Sequence, residues 1–207
     1  FVPHSINVFI GQNGAGKSNF ISFFKFLGNM LSGTGNLAGY TGFYGASAFL
    51  FDGPETSTQI TGELSLKTQT GLNEYKFKLS HASSDTFIFT EEQFRFTPHG
   101  ARNKGNWYNL GSGHKESALI NAESTGRTQG TIKKMLQQLA TYQFHNTAFS
   151  SPIRNNKAEI ENNWFLEEDG RNLSAVLNEL NAHQPSIYHK IITIVQQIIP
   201  FFDDFVF

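Results

Sequence analysis

The sequence has no cysteine among its 207 residues. That excludes disulfides, thiolate zinc sites and cysteine nucleophiles, and it suits a reducing compartment. Charge is scarce too: 16% of residues are charged and the formal net charge is −1. Such a balance gives no whole-chain drive toward nucleic acid or an anionic membrane, and leaves room only for a local basic groove. No stretch approaches the ~18 continuous apolar residues of a membrane span. No charged leader precedes a short apolar run. A cytoplasmic location without a membrane partner is expected. No internal repeat is visible. The seven histidines lack close metal-ligand spacing and any identifiable catalytic partner. Arg95, Arg102, Arg127, Arg154 and Arg171 are scattered, which argues against an arginine-rich kinase lid.

Phenylalanine is in excess, with 21 residues, some clustered as in Phe20, Phe23, Phe24 and Phe26. The chain begins at Phe1 without Met and stops in the apolar run Phe205-Val206-Phe207. Both ends read as cuts through structure rather than linkers, so a piece of a longer protein is expected. The length fits one domain or one large lobe with a real core.

Ile6-Asn7-Val8-Phe9-Ile10 is short, apolar and partly β-branched, which predicts a buried strand. From about Gly16 the pattern turns helical, with Phe20, Phe23, Phe24, Leu27 and Leu31 on one stripe. The glycine- and aromatic-rich stretch 28–58 predicts a loop or a poorly ordered excursion. Ile60, Leu64 and Leu66 alternate with polar residues, as do Tyr75, Phe77 and Leu79, with a turn containing Gly71 between them. This predicts a β-hairpin with one buried face. Phe87, Phe89, Phe94 and Phe96 predict a further strand pair, out of phase around Glu91–Gln93. The polar stretch 97–130 predicts a long surface loop. Ile132, Met135, Leu136 and Leu139 mark a short helix, with a strand expected at Tyr142–His145. Asn172 is a candidate cap for a helix carrying Leu173, Val176, Leu177 and Leu180. Pro185 separates it from a second helix, with Ser186 as candidate cap, Ile187, Ile191, Ile194, Val195 and Ile198 as its stripe, and Pro200 as its breaker.

Gly11-Gln12-Asn13-Gly14-Ala15-Gly16-Lys17-Ser18 satisfies G-x-x-x-x-G-K-[ST] at every fixed position. The glycines let the backbone curl so that successive N–H groups form a nest for phosphate oxygens. A helix beginning near Lys17 adds its positive dipole end. Lys17 is the candidate catalytic residue, reaching the β- and γ-phosphates, and the Ser18 hydroxyl is placed to ligate Mg²⁺. ATP with Mg²⁺ is the expected ligand. Hydrolysis also needs an apolar strand ending in Asp. Phe87-Ile88-Phe89-Thr90-Glu91-Glu92 mimics one but lacks Asp. Ile198-Ile199-Pro200-Phe201-Phe202-Asp203-Asp204 is interrupted by proline. Asn156-Lys157-Ala158-Glu159 and Leu110-Gly111-Ser112-Gly113-His114 match guanine-reading and cassette-signature patterns only faintly; the first is expected to be a solvated turn or helix start and the second a loop.

The stretch Gly11–Asn19, G-Q-N-G-A-G-K-S-N, resembles the phosphate loop of the ABC, SMC and RecF-type ATPases. Tyr142-Gln143-Phe144-His145-Asn146-Thr147, Asp169-Gly170-Arg171-Asn172-Leu173 with Ala175-Val176-Leu177, and Ile198–Phe202 are similar to segments of bacterial RecF-like ATPases of AAA type. The likeness spans most of the chain, but only the phosphate loop is highly specific. It implies an α/β fold: lobe I of an ATPase head, with an antiparallel β subdomain. Residues 1–207 would form the N-terminal part of a single head. Within it, 1–31 would supply the phosphate-loop strand and helix, 59–97 the β subdomain and 131–207 a mainly helical part. The resemblance places the Walker B strand and the signature in a lobe further along, absent from this chain. Gln12, Asn13, Gly14, Ala15, Gly16, Lys17, Ser18 and Asn19 would bind the nucleotide. The family's Mg²⁺-reaching Gln would be Gln143, with Gln93 in reserve. Two heads would sandwich two ATP molecules and hydrolyse them as a dimer, with DNA or a nuclease effector as partner in repair or anti-phage defence. The alternatives are a small nucleotide kinase and a non-catalytic module gated by ATP.

Overall fold

The computed structural model describes residues 2–4, 6–31, 36–124, 127–139, 141–142, 151–154 and 161–207. The chain divides into two compact units, Phe1–Ala140 and Thr141–Phe207. The first is built on a four-stranded antiparallel sheet, β1 (Gln59–Lys67), β2 (Gly71–Ala82), β3 (Thr86–Pro98) and β4 (Tyr108–Gly111), in that spatial order. Leu64 pairs with Tyr75 and Ile60 with Leu79, so the alternation in both strands turns one apolar face the same way. Helices α2 (Asn36–Tyr44) and α3 (Arg127–Gln137) pack on the sheet, and α1 (Lys17–Leu31) packs on both helices. Leu27, Met30 and Leu31 of α1 join Ile132 and Leu136 of α3 and Tyr75, Phe77, Leu79, Phe87 and Phe89 of the sheet in one buried core.

The four phenylalanines of 87–96 lie on one strand, not on the expected strand pair. A β-bulge accounts for their change of phase: Lys78 pairs with Glu91 but Leu79 pairs with Phe89, leaving Thr90 extra. The extra residue returns Glu92, Phe94 and Phe96 to the side already occupied by Phe87 and Phe89. Stretch 28–58 is more ordered than composition predicts. It holds the end of α1, all of α2 and a single 3-10 turn, Ala46–Phe49. Two Glu116 carboxylate bonds fix the start of α2, accepting from Leu37 N at 2.9 Å and Ala38 N at 3.0 Å. Likewise 97–130 is no bare surface loop, because it contains β4, a 3-10 segment Ala118–Ser124 and the start of α3.

The expected buried strand at Ile6–Ile10 is not formed. Among the described residues no strand pairs with it, and Ile6, Val8 and Ile10 are 82%, 78% and 93% exposed. A strand needs a neighbour for its ladder, and the meander offers this segment none. Phe9 instead meets Phe20 of α1, with ring centroids 4.6 Å apart.

The face of the sheet away from the helices is polar. There Arg95 donates to both carboxylate oxygens of Glu74 at 2.6 and 2.7 Å. Trp107 spreads over Arg95 and Lys76, with its ring centroid 4.3 Å from the guanidinium and 4.8 Å from the ammonium.

The second unit pairs α4 (Leu173–His183) with α5 (Pro185–Ile198). Asn172 precedes α4 but does not cap it with its side chain. Its amide oxygen accepts from Glu167 N, and its NH2 donates to the carbonyls of Asn162 and Phe165. Pro185 opens α5 after Gln184, so Ser186 lies inside the helix rather than capping it. Tyr188 is buried, donates its hydroxyl to Asp204, and has the rings of Phe205 and Phe207 beside it. Trp164 stands in solvent. The strand expected at Tyr142–His145 falls largely outside the described residues.

The bond to Arg95 holds the Glu74 carboxyl below its usual range, outweighing burial. That stabilisation is complete above the ordinary carboxylate range and is lost as pH falls through the lowered folded value. Glu74→Gln should therefore destabilise the protein by about 2 kcal/mol at neutral pH. In urea melts, the gap from the parent should begin to narrow as the pH drops below ~4 and close only below the lowered folded value.

Candidate functional site

Residues 11–16 form a curl that delivers the chain into α1. Ala15 N donates to Gln12 O at 3.2 Å, and the first helical bond runs from Phe20 N to Gly16 O at 3.0 Å. Gly14 and Gly16 take φ values of 83° and 86°, the left-handed region where a side chain is strained. The Lys17 side chain folds back over this curl. Its ammonium donates to Gly11 O at 2.6 Å and Gln12 O at 2.7 Å.

The arrangement fits a polyanion. As the first residues of α1, Lys17, Ser18 and Asn19 have backbone N–H groups with no acceptor in the preceding turn. Around them the loop is open: a Cβ at Gly14 or Gly16 would meet no heavy atom within 4 Å. Gln12, Asn13, Gly14, Ala15, Ser18 and Asn19 are exposed, while Gly16 and Lys17 are half-buried. Free donors, a helix N-terminus and one ammonium thus lie together on a mostly exposed stretch of nine consecutive residues, Gly11–Asn19. Ser18 stands one residue past the ammonium-bearing Lys17 on the first turn of α1, where its hydroxyl could serve a cation bridging bound phosphates.

The remaining candidates separate from this loop or fall outside the described residues. Gln143 and the Asn156–Glu159 segment are among the latter. Gln93 sits on β3 opposite Lys76 and Asn109. By strand alternation it shares the polar face with Arg95, the side of the sheet away from the helices. Asp204 is held by Tyr188 and by Phe205 N, in an irregular segment and not at a strand end. A cavity of about 160 Å³ in the second unit is lined by Ile153, Leu173, Leu177 and Phe207. Its one cation, Arg171, is engaged by Asp169 and Glu167. Among the described residues no group of three or more His, Asp or Glu is placed to hold a metal ion.

Two segments weak in the sequence come together inside the first unit. Glu92 is fully buried and accepts four hydrogen bonds. Oε1 takes Tyr75 Oη at 2.7 Å and Ser117 Oγ at 2.5 Å, while Oε2 takes His114 Nε2 at 2.7 Å and Ala118 N at 2.9 Å. Burial first, and the nearby Glu92 charge second, push the Tyr75 phenol well above its ordinary range, so it stays a donor. Every lone-pair direction of the carboxylate is filled, and Glu92 ties loop 111–118 to the sheet rather than offering itself to a ligand. The sequence signal for it is the phase change at Glu91–Gln93, which hides the bulge that turns Glu92 inward.

The family described as "AAA domain, putative AbiEii toxin, Type IV TA system" matches residues 6–125, more than half the chain. The chain belongs to this family. Membership places it among AAA-type P-loop proteins, a nucleotide-binding and ATPase-like class that binds ATP with Mg²⁺. The matched span of this AAA-domain chain includes the curl, α1 and the whole sheet, and it ends before the later segments that resemble RecF-like ATPases. No curated protein and no solved structure matches the chain. Among the described residues no helix is long and apolar enough to cross a membrane.

Two substitutions separate the loop from the scaffold. Gly16→Ala forces a side chain onto a left-handed residue, at about 1 kcal/mol. It should speed amide exchange over Lys17–Phe20 and shift the melting temperature by only about 2–4 °C. Glu92→Gln turns an amide NH2 toward groups that all donate, and should lower stability by about 1–3 kcal/mol in urea unfolding.

Proposed function

We propose that this chain is the Mg-ATP-binding lobe of an ABC/RecF-like ATPase head. One observation carries the proposal: the Lys17 ammonium is gathered into a curl of backbone whose following amides are free to donate. The amides of Asn13–Asn19 would surround the phosphates. Lys17 would exchange its two carbonyl acceptors for phosphate oxygens, and Ser18 would hold Mg²⁺. The metal, once bound, neutralises charge on the phosphates and orients them for attack by water. The chain's own part is to bind, orient and shield.

Hydrolysis needs a carboxylate that activates water and a group that completes the site. We place both outside these residues, on a further lobe and on a second copy of the head. The exposed run Ile6–Ile10 supports that division, because its alternating apolar side chains have the form of a strand awaiting a sheet. Gln143 remains our assignment for the residue reaching Mg²⁺. Coupling to DNA or a nuclease effector, in repair or defence within the cytoplasm, follows the RecF-like resemblance.

Titration of Mg-ATP into the 207-residue chain tests the proposal. Lys17→Ala should weaken binding by about 10- to 100-fold, the loss of a hydrogen bond to a charged group. Equal affinity in the variant would sink the assignment. The chain alone should bind without brisk turnover, and fast hydrolysis abolished by Lys17→Ala would show that the site is complete in these residues.

A further inference from the structure

The floor of the phosphate loop contains Asn13-Gly14, the sole Asn-Gly pair in the sequence. We propose that Asn13 is a site of spontaneous deamidation, and that this modification switches off the loop that the proposed function assigns to nucleotide. In the reaction the Gly14 amide loses its proton to solvent base, and its nitrogen bonds to Asn13 Cγ. The side-chain Cγ–N bond breaks and ammonia leaves. Water then opens the five-membered imide at either carbonyl, giving aspartate or isoaspartate. One water is consumed, one ammonia is released, and nothing is oxidised or reduced.

Three observations make this asparagine unusually open to that attack. Both residues are exposed. Among the described residues no hydrogen bond ties up the Gly14 amide, whereas the next amide, Ala15 N, is bonded to Gln12 O. Gly14 offers no Cβ to obstruct the ring, and at φ 83° it lies in a tight turn with no heavy atom within 4 Å of where a Cβ would stand. The other asparagines contrast with it. Asn73 and Asn172 are buried with side-chain amides that donate to fixed partners, and Asn29 donates to Lys25 O within α1.

The consequence is electrostatic. Conversion puts a carboxylate beside the amides that the proposed function assigns to phosphate, so an anion of the protein's own competes for those donors and repels the ligand. The isoaspartyl product also lengthens the backbone by one methylene inside the curl. Bound nucleotide would engage the Gly14 amide and protect it, so an idle loop ages faster than an occupied one.

The test incubates the full chain at 37 °C and mildly alkaline pH, with and without a slowly hydrolysed Mg-ATP analogue. Peptide mass spectrometry reads the exchange of NH2 for OH at each asparagine, and an isoaspartyl methyltransferase labels the rearranged product. Asn13 should convert several-fold faster than any other asparagine, faster still as pH rises. ATP binding should fall in proportion to the converted fraction, and the analogue should slow conversion several-fold. Asn13→Asp should reproduce the loss of binding, and Asn13→Gln should resist ageing at this position. Conversion at Asn13 no faster than elsewhere overturns the proposal. So does full conversion with binding intact. Failure of the fresh, unconverted chain to bind nucleotide overturns the assignment of function instead, while the mass measurement still decides the chemistry at Asn13.

Discussion

One extra residue in β3 decides which side chains the first unit can bury. Without the bulge at Thr90, strand alternation would turn Glu91, Gln93 and Arg95 toward the helices and leave Phe94 and Phe96 in water. With it, Phe87, Phe89 and Phe94 share the core side, and Arg95 is released to the far face where Glu74 meets it. The same shift sends Glu92 inward. A buried carboxylate is tolerable only if donors surround it, and Tyr75, His114, Ser117 and the Ala118 amide supply them. The path of the chain after β4 follows from that requirement. Glu116, carried along beside Ser117, reaches the opening turn of α2 and helps hold that helix in place.

The phosphate loop depends on a different and more local constraint. Its curl is made by glycines at Gly14 and Gly16, whose backbone angles exclude most other residues, and is closed by a lysine bonding to carbonyls five and six residues behind it. Everything required lies within consecutive residues. For that reason Gly11–Ser18 is legible from the sequence alone, as is α1 running on from it.

Legibility elsewhere tracks how far the deciding contacts lie along the chain. The β1–β2 hairpin follows from alternation within a few residues, and it stands where the alternation puts it. The α2 segment carries Gly39 and Gly42 and no helical apolar stripe, and its opening turn is held by a carboxylate 79 residues away. No local pattern announces such a helix. Between 97 and 130 the chain is polar because its order comes from Glu92 and from pairing with β3, not from its own hydrophobic rhythm. Ile6–Ile10 shows the reverse case. Its composition is right for a strand, yet a strand is a property of two segments, and the neighbour it needs is not among the four that form the sheet. For the site, the loop and its lysine could be read directly, whereas the glutamine we propose to reach Mg²⁺ would depend on tertiary placement that spacing does not encode.

The two tryptophans give the two units separate optical signatures. Trp107, in the first unit, lies against a guanidinium and an ammonium, so the surroundings of its indole change when the polar face of the sheet comes apart. Trp164, in the second unit, already faces water. Melting of the sheet would therefore register in fluorescence almost entirely through one indole, and the helical pair could come apart nearly unseen.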